Sequence, residues 1–139
     1  MAVAPPAPLL LLCHSGGWDR LYQAFSAAVA ATSSGRQVTL VLYFQALERV
    51  VDGDLDEIRL QPADPRAEAR LQEAVDRLGT PDLSEMLQTA RRSGRCRVLA
   101  CSASVALTGR AETASVVDAV VGWPTVLQLL DACGQALYL

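Results

Sequence analysis

The sequence predicts a three-layer α/β/α sandwich, flavodoxin-like or Rossmann-like, around a mainly parallel sheet of four or five strands. Three observations lead there. Short apolar runs such as Leu9–Leu12 and Val98–Ala100 have the continuous hydrophobic character of strands covered on both faces. Segments with helical apolar spacing alternate with these runs, several bracketed by start and stop residues. Strands that alternate with amphipathic helices assemble from βαβ units, and those give a parallel sheet with helices on its faces. At 139 residues the chain fits one domain, 1–139, with a full hydrophobic core.

The elements follow in order. Met1–Pro8 is rich in Ala and Pro and is expected to be flexible. Leu9–His14 reads as the first strand. A helix is expected from Trp18 to Thr32, with Leu21, Ala24, Phe25, Ala28 and Val29 on one face. Gln37–Phe44, rich in β-branched and aromatic residues, reads as the strongest strand. Ala46–Val51 reads as a short helix. Asp52–Ala63 is polar and irregular, with a weak strand expected at Glu57–Leu60, and its carboxylates Asp52, Asp54, Asp56 and Glu57 read as a solvated loop.

Asp64-Pro65 supplies an N-cap and a first-turn proline, Ala67, Leu71, Ala74, Val75 and Leu78 the apolar stripe, and Gly79 the stop. Thr80-Pro81 repeats the start signal ahead of Leu83, Met86, Leu87 and Ala90, with Gly94 as terminator. Arg97–Ala100 reads as a third buried strand running into Cys101-Ser102-Ala103-Ser104. Short helices are expected at Ser104–Thr108, Glu112–Asp118 and Pro124–Ala132, and a last strand at Ala136–Leu139.

Composition removes several function classes. Hydrophobic residues make up 51% and charged residues 19%, a globular balance. The net charge of −3 and the lack of a basic stretch beyond Arg91, Arg92, Arg95 and Arg97 argue against nucleic acid as a partner. All twelve basic residues are arginine, so lysine chemistry is excluded. Cys13, Cys96, Cys101 and Cys133 form neither a CxxC pair nor zinc spacing, and His14 is the single histidine, so no metal site is expected. Leu9–Cys13 lacks the flanks of a signal peptide, and no apolar stretch approaches the ~20 residues that span a bilayer. The expectation is a cytoplasmic protein with free thiols and no membrane partner.

In parallel α/β sheets the reactive groups stand beyond the carboxyl ends of the strands. Two such loops carry unusual content: Cys13-His14-Ser15-Gly16-Gly17-Trp18-Asp19 and Cys101-Ser102-Ala103-Ser104. Cys101, at a strand end directly before a helix, is the sharper candidate, because helix N–H groups favour thiolate over thiol. Its bland alternative is a small buried cysteine in a tight turn. Ser102 and Ser104 are candidate assisting hydroxyls or plain helix caps. His14 is a candidate assisting group if its strand neighbours that of Cys101, as in a 2-1-3 order; otherwise it is simply solvated. Cys13 reads as core, and Cys96 and Cys133 have no assigned role. Gly16-Gly17 lacks GxGxxG and the P-loop pattern and reads as a turn, with no cofactor expected. Trp18 and Trp123 read as ordinary core.

The segment Val98-Leu-Ala-Cys-Ser-Ala-Ser-Val-Ala-Leu-Thr-Gly109 resembles the stretch that carries the active cysteine in the DsrE/TusD-like sulfur-relay family. Val120-Val-Gly-Trp-Pro-Thr-Val-Leu127 is similar to that family's apolar-Gly-x-x-Thr-x-Leu segment, and Cys13–Tyr22 and Phe44–Leu47 continue the likeness. The resemblance implies a DsrE-like domain that accepts sulfane sulfur on Cys101 as a persulfide and passes it on. It also implies a protein sulfur donor, a protein acceptor and a homo-oligomer. Some members of the family lack the cysteine and serve as structural subunits, so a non-catalytic scaffold on the same fold is the alternative. A flavin- or nucleotide-binding domain stands third.

Overall fold

The computed structural model describes residues 3–139. Of the expected flexible segment, Met1 and Ala2 therefore lie outside the described residues. Val3 to Pro8 has no regular structure, and the carbonyls of Ala7 and Pro8 accept hydrogen bonds from Arg36.

Among the described residues, five strands form one all-parallel sheet: β1 (Leu9–Cys13), β2 (Val38–Leu42), β3 (Cys96–Cys101), β4 (Ala119–Val121) and β5 (Gln135–Tyr138). Their spatial order is β4-β3-β2-β1-β5. Seven helices connect them: α1 (Trp18–Ser33), α2 (Phe44–Asp52), α3 (Pro65–Leu78), α4 (Leu83–Arg92), α5 (Ser102–Thr108), α6 (Thr113–Val116) and α7 (Trp123–Ala132). The three-layer α/β fold predicted from the sequence is the fold observed.

Strand order explains how the helices divide between the faces. From β1 to β4 the chain steps always in one direction, so right-handed crossovers deliver the connecting helices to one face. The β4-to-β5 connection returns across the whole sheet, and the same handedness puts α7 on the other. Alternation along the strands sorts the side chains accordingly. Leu9, Leu11, Leu40, Leu42, Val98 and Ala100 face a large core with Phe25 and Leu21 of α1, Leu47 of α2 and Leu83 and Leu87 of α4. Leu10, Leu12, Val41, Tyr43, Leu99 and Cys101 face a smaller core that is closed by Val126 of α7. All five residues of β1 are buried, as befits a strand paired and covered on both sides.

Several local expectations are met. Asp64 caps α3 by accepting from the Ala67 amide at 3.0 Å, and Gly79 and Gly109 end α3 and α5 at φ 64° and 65°. Others are corrected. Glu57–Leu60 is not a strand; the fifth strand is β4, only three residues long. Of the carboxylates from Asp52 to Glu57, Asp52, Asp56 and Glu57 are exposed as expected and Asp54 is half-buried, and they are paired as well as solvated. Asp52 pairs with Arg110, Asp54 with Arg49 and Arg59, and Asp56 accepts from the Ser84 amide at 3.0 Å at the start of α4. The stripe of α3 buries none of its residues fully, and Leu78 is exposed. Trp18 is core, but Trp123 stands 48% exposed.

Candidate functional site

The carboxyl edge of the sheet is organised by register. Leu42 of β2 aligns with Ala100 of β3, the last pair of that ladder, and the next residue on each chain segment is Tyr43 and Cys101 respectively. Both side chains lie on the α7 face, in one buried cluster with Val41, Leu99 and Val126. On the far side of Cys101 lies Val121 of β4. Two residues later the first residue of α7, Trp123, lays its ring against Tyr43 at a centroid distance of 5.7 Å. Cys101 is 5% exposed and Tyr43 4%.

His14 takes a different place. Cys13 aligns with Leu42, which puts His14 beside Tyr43 and leaves β2 between it and Cys101. Two strand spacings amount to about 9–10 Å. The 2-1-3 order that would have joined His14 to Cys101 is not the order of this sheet. His14 is exposed, and its ring tilts against Phe44 at 5.8 Å. Phe44 itself adopts φ 36°, the left-handed region that a bulky side chain occupies only under strain, and this turns the chain sharply from β2 into α2.

The serines behave unequally. Ser102 is exposed and borders the turn before α7, where a Cβ added at Gly122 would sit 3.7 Å from its hydroxyl. Ser104 is fully buried, and its hydroxyl has no hydrogen-bond partner. The Tyr43 hydroxyl is likewise buried without a partner. The remaining buried polar atoms lacking hydrogen bonds, on Arg49, Asp54 and Arg110, belong to ion pairs at 2.9 to 3.2 Å. Among the described residues, the two buried hydroxyls without a hydrogen bond belong to Tyr43, in the same buried cluster as Cys101, and to Ser104, three residues on in the sequence. A buried hydroxyl left unpaired costs about 1–3 kcal/mol. Burial, with Cys101 and Tyr138 adding to it, pushes the Tyr43 phenol up to about 12, so it is a donor at neutral pH. The sequence read Tyr43 only as a strand residue; nothing short of the register reveals its position.

The other thiols are set apart by their surroundings. Burial pushes Cys13 up to about 12 and Cys96 up to about 11, which leaves almost no thiolate at neutral pH. Cys133 donates weakly to the Leu130 carbonyl at 3.2 Å, near the amino edge of the sheet. There it lines a cleft of about 210 Å³ with Pro8, Thr39, Arg97 and Leu129. A second cleft of about 300 Å³ lies between α2, α4 and α6, and neither includes Cys101.

The Gly16-Gly17 turn is filled from within. The Gly16 amide donates to Gln61 at 2.8 Å, the Gly17 amide to the Ser15 hydroxyl at 3.0 Å, and the Trp18 amide to the Arg59 carbonyl at 2.7 Å. An anion at the start of α1 would have to displace all three. Among the described residues, no three His, Cys, Asp or Glu side chains gather to hold a metal ion, and no helix is long and apolar enough to cross a membrane.

Fold and site together define an all-parallel α/β domain with a buried cysteine at the carboxyl end of β3, in one cluster with Tyr43. Comparison with protein-family models and with curated proteins finds no match.

Proposed function

We propose that this chain is a cytoplasmic sulfur-relay protein of the DsrE-like kind, with Cys101 as the carrier of sulfane sulfur. The observation that carries the reading is the place of Cys101, a thiol at the carboxyl end of β3 directly before α5, in one buried cluster with Tyr43. The resemblance of Val98–Gly109 to the cysteine-bearing segment of that family adds to it. In the loading step the Cys101 thiolate attacks the outer sulfur of a donor persulfide, R–S–SH. The donor's S–S bond breaks, R–S⁻ leaves, and Cys101–S–SH forms. In the delivery step an acceptor thiolate takes the outer sulfur and Cys101 departs as thiolate, so no outside oxidant or reductant enters. Donor and acceptor are proteins in this reading.

A non-catalytic scaffold on the same fold is the second reading, favoured by the 5% exposure of Cys101. Alkylation separates the two. A small electrophile at neutral pH is expected to label Cys101 well before Cys13 and Cys96. Label on Cys133 alone, with Cys101 untouched in the folded protein, favours the scaffold. A flavin- or nucleotide-binding role is the weakest reading, since the turn after β1 has its amides occupied.

Assembly into a homo-oligomer belongs to the same proposal. One ten-residue helix, α7, covers the second face, leaving Trp123, Leu127 (55% exposed) and Tyr138 of β5 (63% exposed) open to solvent. Light scattering is expected to give a mass above that of one chain, and Leu127→Glu to return it to one. A single-chain mass for the unaltered protein would contradict assembly through this face.

A further inference from the structure

β5 is an open edge of the sheet. It pairs with β1 on one side only, and all four of its residues are exposed. The ladder fixes where its free backbone groups point. The Leu139 amide donates to the Leu12 carbonyl at 2.8 Å, the Leu139 carbonyl accepts from the His14 amide at 2.7 Å, and the Gln135 amide turns to Pro8. Residues of a parallel strand face a given neighbour alternately, so Leu137 also turns to β1. The N–H and C=O groups of Ala136 and Tyr138 therefore point away from the sheet, and among the described residues no backbone group meets them. Edge strands are ordinarily guarded by charge or proline. The opposite edge, β4, is three residues long and lies between Asp118 and Pro124. Ala132–Leu139 holds neither a charged residue nor a proline, and Leu137 and Tyr138 stand 46% and 63% exposed on opposite faces.

A second β5 fits this edge. Turned about a two-fold axis that passes beside Leu137 perpendicular to the sheet, it runs antiparallel to the first. Ala136 then faces the second copy's Tyr138 in a hydrogen-bonded pair, and Tyr138 faces the second copy's Ala136, so every outward group finds its complement. The two Leu137 side chains meet on the face of the large core, where the register with Leu11 directs them. On the α7 face the large Tyr138 lies across from the small Ala136, twice. An axis at Ala136 or at Tyr138 would set one of these residues opposite a position outside the partner strand.

We infer that two copies of this chain join edge to edge through β5, in one continuous sheet with both α7 helices on the same side. The inference rests on the homo-oligomer reading and names its contact, since Tyr138, exposed on the α7 face, belongs to the edge itself. The contact is small, so the pair is expected to dissociate on dilution.

The test is sedimentation of wild type, Ala136→Pro and Leu127→Glu over a range of concentrations. Wild type is expected at the mass of two chains when concentrated. Proline at an outward amide removes no bond to β1 and blocks the pairing, so Ala136→Pro is expected to stay single with its far-UV circular dichroism unchanged. Leu137→Cys gives a positive readout. Across the axis its α-carbons stand about 4.5 Å apart, within disulfide reach, and a mild oxidant is expected to link two chains. Ala136→Cys, on a diagonal of about 7–8 Å, is expected not to link. Pairing of Ala136→Pro like the wild type, or linking of Leu137→Cys no better than Ala136→Cys, overturns the edge contact. If Leu127→Glu is single in that case, assembly through the α7 face stands without the edge. A wild type that is single at every concentration overturns both.

Discussion

Replacing Arg49 by methionine is expected to cost about 3–5 kcal/mol of stability, the range found when one partner of a buried charged network is removed. For a chain of this length that lowers the thermal midpoint by roughly 10 °C or more. Arg49 is 6% exposed, although it sits on a helix whose sequence gives no hint of a buried charge. Its guanidinium donates to the carbonyls of Gly16 at 3.1 Å, Leu55 at 3.1 Å and Glu57 at 2.6 Å, and pairs with Asp54 at 3.2 Å. Burial draws its pKa below the ordinary arginine value, with the Asp54 carboxylate pulling the other way. Methionine keeps much of the packed stem but leaves three carbonyls without their donor and Asp54 with only Arg59.

The consequences of that substitution reach the start of α1. The loop that Arg49 holds supplies the Arg59 carbonyl to Trp18 and the Gln61 side chain to Gly16. Hydrogen exchange at the Gly16 and Trp18 amides is therefore expected to speed up together with the drop in midpoint. A loss below about 1 kcal/mol, the range of an exposed ion pair, would contradict the structural role given to Arg49.

Elements that announce themselves by chemistry at their ends were legible in the sequence. Asp64-Pro65 and Gly79 bracket α3 because capping and a left-handed stop are local requirements. Leu9–Cys13 and Val98–Cys101 were legible because a strand stretch covered on both faces needs nothing but apolar residues. Ala119–Val121 was not, since three residues carry no period. The alternation of Ile58 and Leu60 with polar neighbours imitated a strand in a loop that Arg49 fixes from a distance. The stripe of α3 described a helix correctly without saying how deeply it would be buried. Strand order lies outside what periodicity encodes. That is why Cys101 was singled out from its own segment alone, while His14 was tied to it only on condition of a 2-1-3 order and Tyr43 was passed over. A neighbour across two strands is a property of register, and register is settled by the whole sheet.

The largest functional effect is expected at Cys101, where one sulfur atom separates a relay subunit from a scaffold. The thiol sits at the carboxyl edge of the sheet, directly before α5, and is 5% exposed. Cys13 and Cys96, held as thiols by their surroundings, are not expected to load. Intact mass after incubation with a small-molecule persulfide puts this to the test. The wild-type chain is expected to gain one sulfur atom that a thiol reductant removes, and Cys101→Ser, with its other three cysteines in place, to gain none. A wild-type mass that does not change, or a gain that survives in Cys101→Ser, would contradict the assignment of Cys101 as the sulfur carrier.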